Sequence, residues 1–206
     1  MSDASRPKDM TFVLRDHLGG FVRSDRVYWP HGDPMTYTPR LWDWLAGRFA
    51  PRVVWDIGCA EGHAVKHFLA QGIRAWGVDG CVEALDTAVA PRDRIIIHDY
   101  TRGLLQVPAR VEPPDLVYSC EFVEHVEQRC MENFLADFDR ARTVCFTHAF
   151  VGQPGHHHVN CQAPPYWISA MQSRGFAWDE EASLESRRIA GQSHWERSGL
   201  VFTRRP

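Results

Sequence analysis

"WDIGCAEGH", running from Trp55 to His63, decides how this chain folds. It begins inside "RVVWDIG" (52–58), a short apolar β-branched run stopped by glycine, which reads as a buried strand. It ends where "HAVKHFLAQG" (63–72) starts, a helical pattern closed by Gly72. A buried strand passing through a glycine-bearing loop into a helix is the opening unit of a parallel α/β sheet. Gly58 and Gly62 let the backbone turn sharply and approach a ligand closely, and the helix presents its free N–H groups at the same place.

Outward from this unit, strand and helix keep alternating. Upstream, "TPRLWDWLAGRFA" (38–50) spaces Leu41, Trp42, Leu45 and Phe49 at helical intervals behind a Thr-Pro start. Downstream, "IRAWGVDG" is a second strand, "VEALDTAVA" a second helix and "DRIIIHD" (93–99) a third strand. "PDLVYSC" (114–120) follows as a fourth strand, "CMENFLADFDRAR" (130–142) as a helix and "TVCFTHAF" (143–150) as a fifth strand. "PPYWISAMQSRG" (164–175) has proline at the start of a helix and glycine at its end. "FAWDEEASLE" and "SGLVFTRR" look like two last strands joined without a long helix, hence antiparallel neighbours. The expected fold is α/β: a doubly wound, mostly parallel seven-stranded sheet with an antiparallel C-terminal strand.

Residues 1–37, rich in glycine and proline without a sustained period, read as an irregular N-terminal arm with short helical pieces; residues 38–206 form the domain. The arm's "RVYWPHGDPMTY" (26–37) either folds over the site as a substrate lid, with Tyr28, Trp29 and Tyr37 lining the pocket, or anchors the arm to the domain.

A chain of 206 residues, 44% hydrophobic, supports one globular core and is too short for two full-sized ones. The net charge of -3 excludes a broad basic field for holding nucleic acid non-specifically and leaves only a local patch open. No apolar run is long enough to cross a bilayer and "MSDASRPKDM" is not a signal peptide, so the expectation is a cytoplasmic protein with no membrane partner. The six cysteines are scattered with no C-x-x-C pair, which points to reduced thiols rather than a zinc ribbon or a redox motif. The "RR" pairs at 187–188 and 204–205 read as solvated charges.

In doubly wound sheets, ligands sit beyond the carboxyl ends of the strands, near the switch in strand order. Asp79 ends the second strand, where a carboxylate accepts the hydroxyls of a ribose; Asp99 ends the third, placed to accept from an adenine amino group. A nicotinamide dinucleotide asks for G-x-G-x-x-G, but the loop offers Gly58, Ala60 and then His63. Asp56, two residues before the first glycine, would repel a pyrophosphate and suits a cationic, phosphate-free ligand.

That combination resembles the class I S-adenosylmethionine (SAM)-dependent methyltransferases, whose first motif is an acid followed by a G-x-G-x-G loop; the likeness covers roughly residues 40–205. The resemblance implies a nucleoside site formed by Asp56, Gly58, Cys59, Ala60, Gly62, Asp79, Gly80, Asp99, Tyr100 and Cys120, with S-adenosylhomocysteine (SAH) as product. Ala60 stands where the family has its middle glycine, so it is expected not to need a positive φ.

"SCEFVEHVEQ" (119–128) follows the fourth strand. In a helical turn Glu121, Glu124 and His125 stand at i, i+3 and i+4 on one face, half of a metal site. The loop after the fifth strand reaches the same sheet edge and carries "PGHHHVN", so Glu121, Glu124, His125 and His158 would gather around one divalent cation, with His156 competing. Mixed carboxylate and imidazole donors suit Mg²⁺, Mn²⁺ or Fe²⁺. The alternative is that His125 only caps or hydrogen-bonds its loop. Catalytic candidates are His125, His156 and His157, the base being whichever of the last two binds no metal. E-x-x-E-H also resembles the metal motif of small-RNA 3′-terminal ribose 2′-O-methyltransferases and of ubiquinone-pathway O-methyltransferases. In the RNA enzymes a histidine precedes an aromatic-bearing helix, as His158 precedes Tyr166 and Trp167, although the "HHHVN" run itself departs from their pattern. Tyr166 and Trp167 are expected to wall the pocket, with core packing an alternative for Trp167.

The sequence therefore implies a SAM-dependent methyltransferase acting on a small molecule with adjacent oxygens, assisted by a divalent cation. Methylation of an RNA ribose hydroxyl is the second reading, and a non-catalytic nucleoside-binding module the alternative of another class.

Overall fold

A computed structural model describes residues 21–23, 26–28 and 33–205 of the chain. A short hairpin pairs β1 (Phe21–Arg23) with β2 (Arg26–Tyr28), where the sequence suggested helical pieces. Trp29 and most of the arm lie outside the described residues. The domain then runs α1 (Pro39–Phe49), β3 (Val53–Ile57), α2 (His63–Ala70), β4 (Arg74–Asp79), β5 (Ile95–Ile97), β6 (Leu116–Ser119), α3 (Met131–Phe138), β7 (Thr143–Phe146), α4 (Pro164–Ser173), β8 (Phe176–Trp178), α5 (Glu180–Ala190), α6 (His194–Ser198) and β9 (Leu200–Arg204).

Seven strands form one sheet in the order β5-β4-β3-β6-β7-β9-β8. β3 through β7 are parallel, and β9 runs antiparallel to both β7 and β8. The order reverses between β3 and β6, so their carboxyl ends frame the crevice where such sheets bind ligands.

Alternation along each strand divides the core between two faces. Val53, Trp55 and Ile57 of β3 and Val117 of β6 pack with Phe134, Leu135 and Phe138 of α3 and Trp167 and Met171 of α4. Val54, Leu116 and Tyr118 point the other way, against Leu41, Trp42 and Leu45 of α1, Phe68 of α2 and Trp195 of α6. Each buried aromatic of this kind contributes about 2–3 kcal/mol of hydrophobic stabilisation. All six cysteines are free thiols, in line with their scattered spacing.

Three expectations are corrected. "VEALDTAVA" forms only a 3₁₀ turn over Val82–Leu85, because the amides of Val89 and Ala90 donate to the carbonyl of Glu61 and are lost to a helix. The last two strands are antiparallel neighbours as expected, but α5 and α6 join them where the sequence showed no long helix. Asp179 caps α5 through a bond from the amide of Ala182, and the buried side of α5 is Ala182, Ser183 and Ser186. Small and hydroxyl residues on that face hid its helical period. Arg187, expected to be solvated, is half-buried and donates to the carbonyl of Gly199 at 2.7 Å. Arg204 does stay exposed, with its guanidinium over the ring of Phe176.

Candidate active site

A cavity of about 810 Å³ opens at the carboxyl ends of β3, β4, β5 and β6. Gly58, Cys59 and Ala60 form its floor; the amides of Gly58 and Cys59 donate to the carbonyl of Val78 at 2.8 and 3.2 Å. Asp79 holds the loop in place: one carboxylate oxygen accepts from the amide of Ala60 at 2.8 Å, the other from that of Cys81 at 2.7 Å. A Cβ on Gly58, whose φ is +80°, would lie 2.7 Å from Cβ of Phe122. Ala60 has a φ of 44°, contrary to the expectation that its Cβ excludes the left-handed region; the bond to Asp79 holds it there.

Of the nucleoside candidates, Asp56, Gly58, Cys59, Ala60, Asp79, Gly80, Asp99, Tyr100 and Cys120 all line the cavity. Gly62 does not; it is the left-handed N-cap of α2, where a Cβ would meet that of Ala90 at 2.6 Å. Burial and then the charge of Asp79 push the Asp56 carboxyl up to about 8. Asp99 accepts from the amide and hydroxyl of Thr101 at 2.9 and 2.6 Å, which fixes its carboxylate at the rim. Tyr100 donates its hydroxyl to Asp137 at 2.8 Å, so its ring, not its oxygen, serves the wall.

Two loops meet beside the cavity, which Glu121 and His158 line and Glu124 does not. Glu121 and Glu124 come from the loop after β6, and His158 from the loop after β7. Each offers one donor atom, all within 4.8 Å of one another. Glu121 has a φ of +53°; its amide donates to the hydroxyl of Thr147 at 2.7 Å, and that hydroxyl lies 3.2 Å from Oε1 of Glu121. Glu124 is fully buried and neither carboxylate oxygen has a hydrogen-bond partner. Burial first, and the charge of Glu121 second, raise its pKa well above the ordinary value. The ring of His158 lies against Gly155, where a Cβ would fall 2.1 Å from it, and Nδ1 of His158 sits 3.2 Å from the carbonyl of Gln153.

His125 does not join this cluster, which corrects the expectation that it is a fourth ligand. The turn is 3₁₀ over Val123–His125 rather than α-helical, so Glu121 and His125 do not share one face. The Nδ1–H of His125 donates to the carbonyl of His157 at 3.2 Å, and burial followed by the neighbouring His158 drives its pKa down to about 3. That is too weak a base for a proton transfer near neutrality. His156 lines the cavity; His157 does not, and its contribution is that carbonyl. Tyr166 and Trp167 are absent from the lining too: Trp167 is fully buried in the core and Tyr166 packs beside it.

Sequence reasoning missed several residues. Asn160 is buried and donates to the carbonyl of Val123, which ties the two loops together. Asp33 and His194 also line the cavity, beside Tyr37, which the lid reading had named. Burial would lower the pKa of His194, but its bond to Asp33 and the charges of Glu121 and Asp33 hold it above the ordinary value. The spacing Ser193 to Glu196 is a capping signal that marks the start of α6, yet nothing local links His194 to Glu121.

A methyltransferase domain family matches residues 55–141, from the middle of β3 to the segment before β7. No curated protein matches the chain. Among solved structures, the plantazolicin methyltransferase BpumL in complex with a pentazolic desmethylPZN analogue and SAH superposes with a TM-score of 0.55 at 10% identity, over 81% of this chain and 83% of that one. The methyltransferase domain of bacterial CtHen1-CN gives 0.53 at 18% identity, over 80% and 97%. A TehB-like SAM-dependent methyltransferase from Corynebacterium glutamicum gives 0.54 at 19% identity, over 81% and 86%. At these identities the likenesses are of fold. No helix among the described residues is long and apolar enough to cross a membrane. The segment that matches the methyltransferase domain family spans the glycine loop together with Asp56, Asp79 and Asp99 of the cavity, and the chain shares the fold of these methyltransferase structures.

Proposed function

We propose that the protein is a SAM-dependent O-methyltransferase, acting in the cytoplasm on a small molecule with adjacent oxygens and assisted by a divalent cation. Glu124 carries the reading: a fully buried carboxyl with two unpartnered oxygens, set beside Glu121 and His158. Buried carboxylates of this kind are costly unless a counter-charge meets them, and a donor set of two carboxylates and an imidazole fits Mg²⁺, Mn²⁺ or Fe²⁺. Bound there, a divalent cation would lower the pKa of a substrate oxygen that it touches.

SAM, when bound, supplies the methyl group from a positively charged sulfur. On this reading the loop of Gly58, Cys59 and Ala60 takes the nucleoside, with Gly80, Asp99, Tyr100 and Cys120 around it. Asp79, held by the amides of Ala60 and Cys81, presents its carboxylate to the cavity where the ribose hydroxyls would lie. Asp56, whose raised pKa keeps it protonated near neutrality, would be drawn toward its charged form by a cationic ligand beside it and so supply a counter-charge. His156, at the cavity wall, receives the proton of the acceptor oxygen. Holding the oxygen in line with the methyl supplies most of the acceleration. Residues 33–37, the described end of the arm, bring Asp33 and Tyr37 to the mouth and favour the lid over a plain anchor.

Ribose 2′-O-methylation of RNA is the second reading, supported by the pairing of E-x-x-E-H with His158. Against it, the described residues that line the cavity include Asp33, Asp56, Asp79, Asp99 and Glu121 but only Arg197 as a fixed cation, which suits a small acceptor better than a polyanion. Transfer of labelled methyl from SAM to catechols, sugars and RNA 3′ ends, in excess chelator and after adding Mg²⁺ or Mn²⁺, tests both. The expected result is metal-dependent labelling of a diol. Labelling of RNA alone selects the second reading, full activity in chelator removes the cation, and SAM binding without turnover on any acceptor leaves a binding module.

A further inference from the structure

His194, at the first turn of α6, stands between two acids from distant parts of the chain. Its Nε2 is 2.8 Å from Oδ2 of Asp33, just before the 3₁₀ turn Pro34–Thr36, and its Nδ1 is 3.5 Å from Oε2 of Glu121. The ring is mostly buried, as is the carboxylate of Glu121. Glu121 is thus approached from two sides, its Oε1 by the hydroxyl of Thr147 and its Oε2 by His194, on a backbone held at positive φ. Asp33 is itself fixed, because its other oxygen accepts from the amide of Met35 at 2.8 Å and caps the 3₁₀ turn.

We infer that His194 is a positioning residue that fastens the end of the N-terminal arm to the Glu121 carboxylate and so sets the aim of that proposed cation ligand. The inference rests on the cation reading above. An imidazole offers two nitrogens that flank one ring carbon and point in divergent directions, so it bridges two carboxylates in a fixed geometry. Partners of this kind, which orient a ligand without touching the ion, typically change metal affinity 10–100-fold when removed. Seating of residues 33–37 at the cavity mouth and organisation of the cation site are then one event. The substrate lid and the cation site report to each other through one side chain.

The test is Mn²⁺ binding to the purified full-length protein without donor or acceptor, followed by the resonance of free Mn²⁺, alongside thermal melting of each variant. His194→Phe keeps the ring volume and removes both bonds; it is expected to weaken Mn²⁺ binding about tenfold or more. His194→Asn returns an amide nitrogen near the Nδ1 position and is expected to recover most of that loss. Asp33→Asn keeps the cap of the 3₁₀ turn, so the fold is retained, and is expected to weaken binding by a smaller factor. Wild-type affinity in both His194→Phe and Asp33→Asn would overturn the inference alone. A wild-type protein that binds no Mn²⁺ would overturn the cation reading and this inference with it.

Discussion

The amide of Asn160 donates to the carbonyl of Glu124 at 3.0 Å, and the neighbouring amide of Val159 donates to the same oxygen at 2.9 Å. This pair of bonds stitches the loop after β7 to the loop after β6. It sets His158 beside Glu121 and Glu124, which are 37 and 34 residues away in sequence. The side chain of Asn160 adds a third stitch to the carbonyl of Val123. Asn160→Ala removes that bond, which is long at 3.4 Å, at a cost of about 1 kcal/mol. Thermal melting should fall by about 2–4 °C for each kcal/mol in a domain of this size.

Glu124→Gln should separate the two roles of the buried carboxyl. Its folded pKa is raised by burial and by Glu121, so above the ordinary carboxylate range it weakens the metal-free fold. The amide variant should therefore melt no lower than wild type without metal, and higher as pH rises. It should also lose the stabilisation that saturating Mn²⁺ gives wild type, about 2.7 kcal/mol at a hundred times the dissociation constant. Melting curves with and without Mn²⁺ measure both effects.

Asp56 predicts a pH slope. Its folded pKa of about 8 exceeds the unfolded value near 3.8, so between those limits the folded state holds more protons. Its contribution to stability is fully present below about pH 3.8 and is lost as pH rises through 8. Asp56→Asn should flatten the decline of melting temperature between pH 5 and 8. Parallel slopes for the two proteins would show that Asp56 ionises normally.

The glycine loop supplies an asymmetric pair of substitutions. Gly58→Ala puts a Cβ 2.7 Å from that of Phe122 in a left-handed backbone, so it should destabilise the protein by about 2 kcal/mol or more and weaken SAH binding. Ala60→Gly relieves a strained φ of 44° at the cost of a looser unfolded chain, and should change stability by less than about 1 kcal/mol. Denaturant melts and calorimetry with SAH read the contrast.

The parallel sheet was legible because β3, β4, β5 and β6 are short apolar runs with glycine, proline or acids near their ends, and β7 is a short apolar run directly after a helical pattern. The acids at their carboxyl ends followed from the topology. What escaped was set by contacts between distant residues. The Glu61 carbonyl that captures Val89 and Ala90, the serine face of α5 and the bond that twists Ala60 leave no local pattern. The cation cluster was half legible: Glu121, Glu124 and His158 were named from spacing, but a 3₁₀ turn in place of an α-turn removed His125 from the group and left it to hold the loop. His194 entered only through tertiary geometry, 73 residues from Glu121.

Crystals soaked with SAH and Mn²⁺, measured at a wavelength where manganese scatters anomalously, test the central claim most directly. The account predicts nucleoside density against Gly58, Ala60 and Asp79, and one anomalous peak enclosed by Glu121, Glu124 and His158. A nucleoside bound elsewhere, or ordered SAH with no peak among those three side chains, would contradict it.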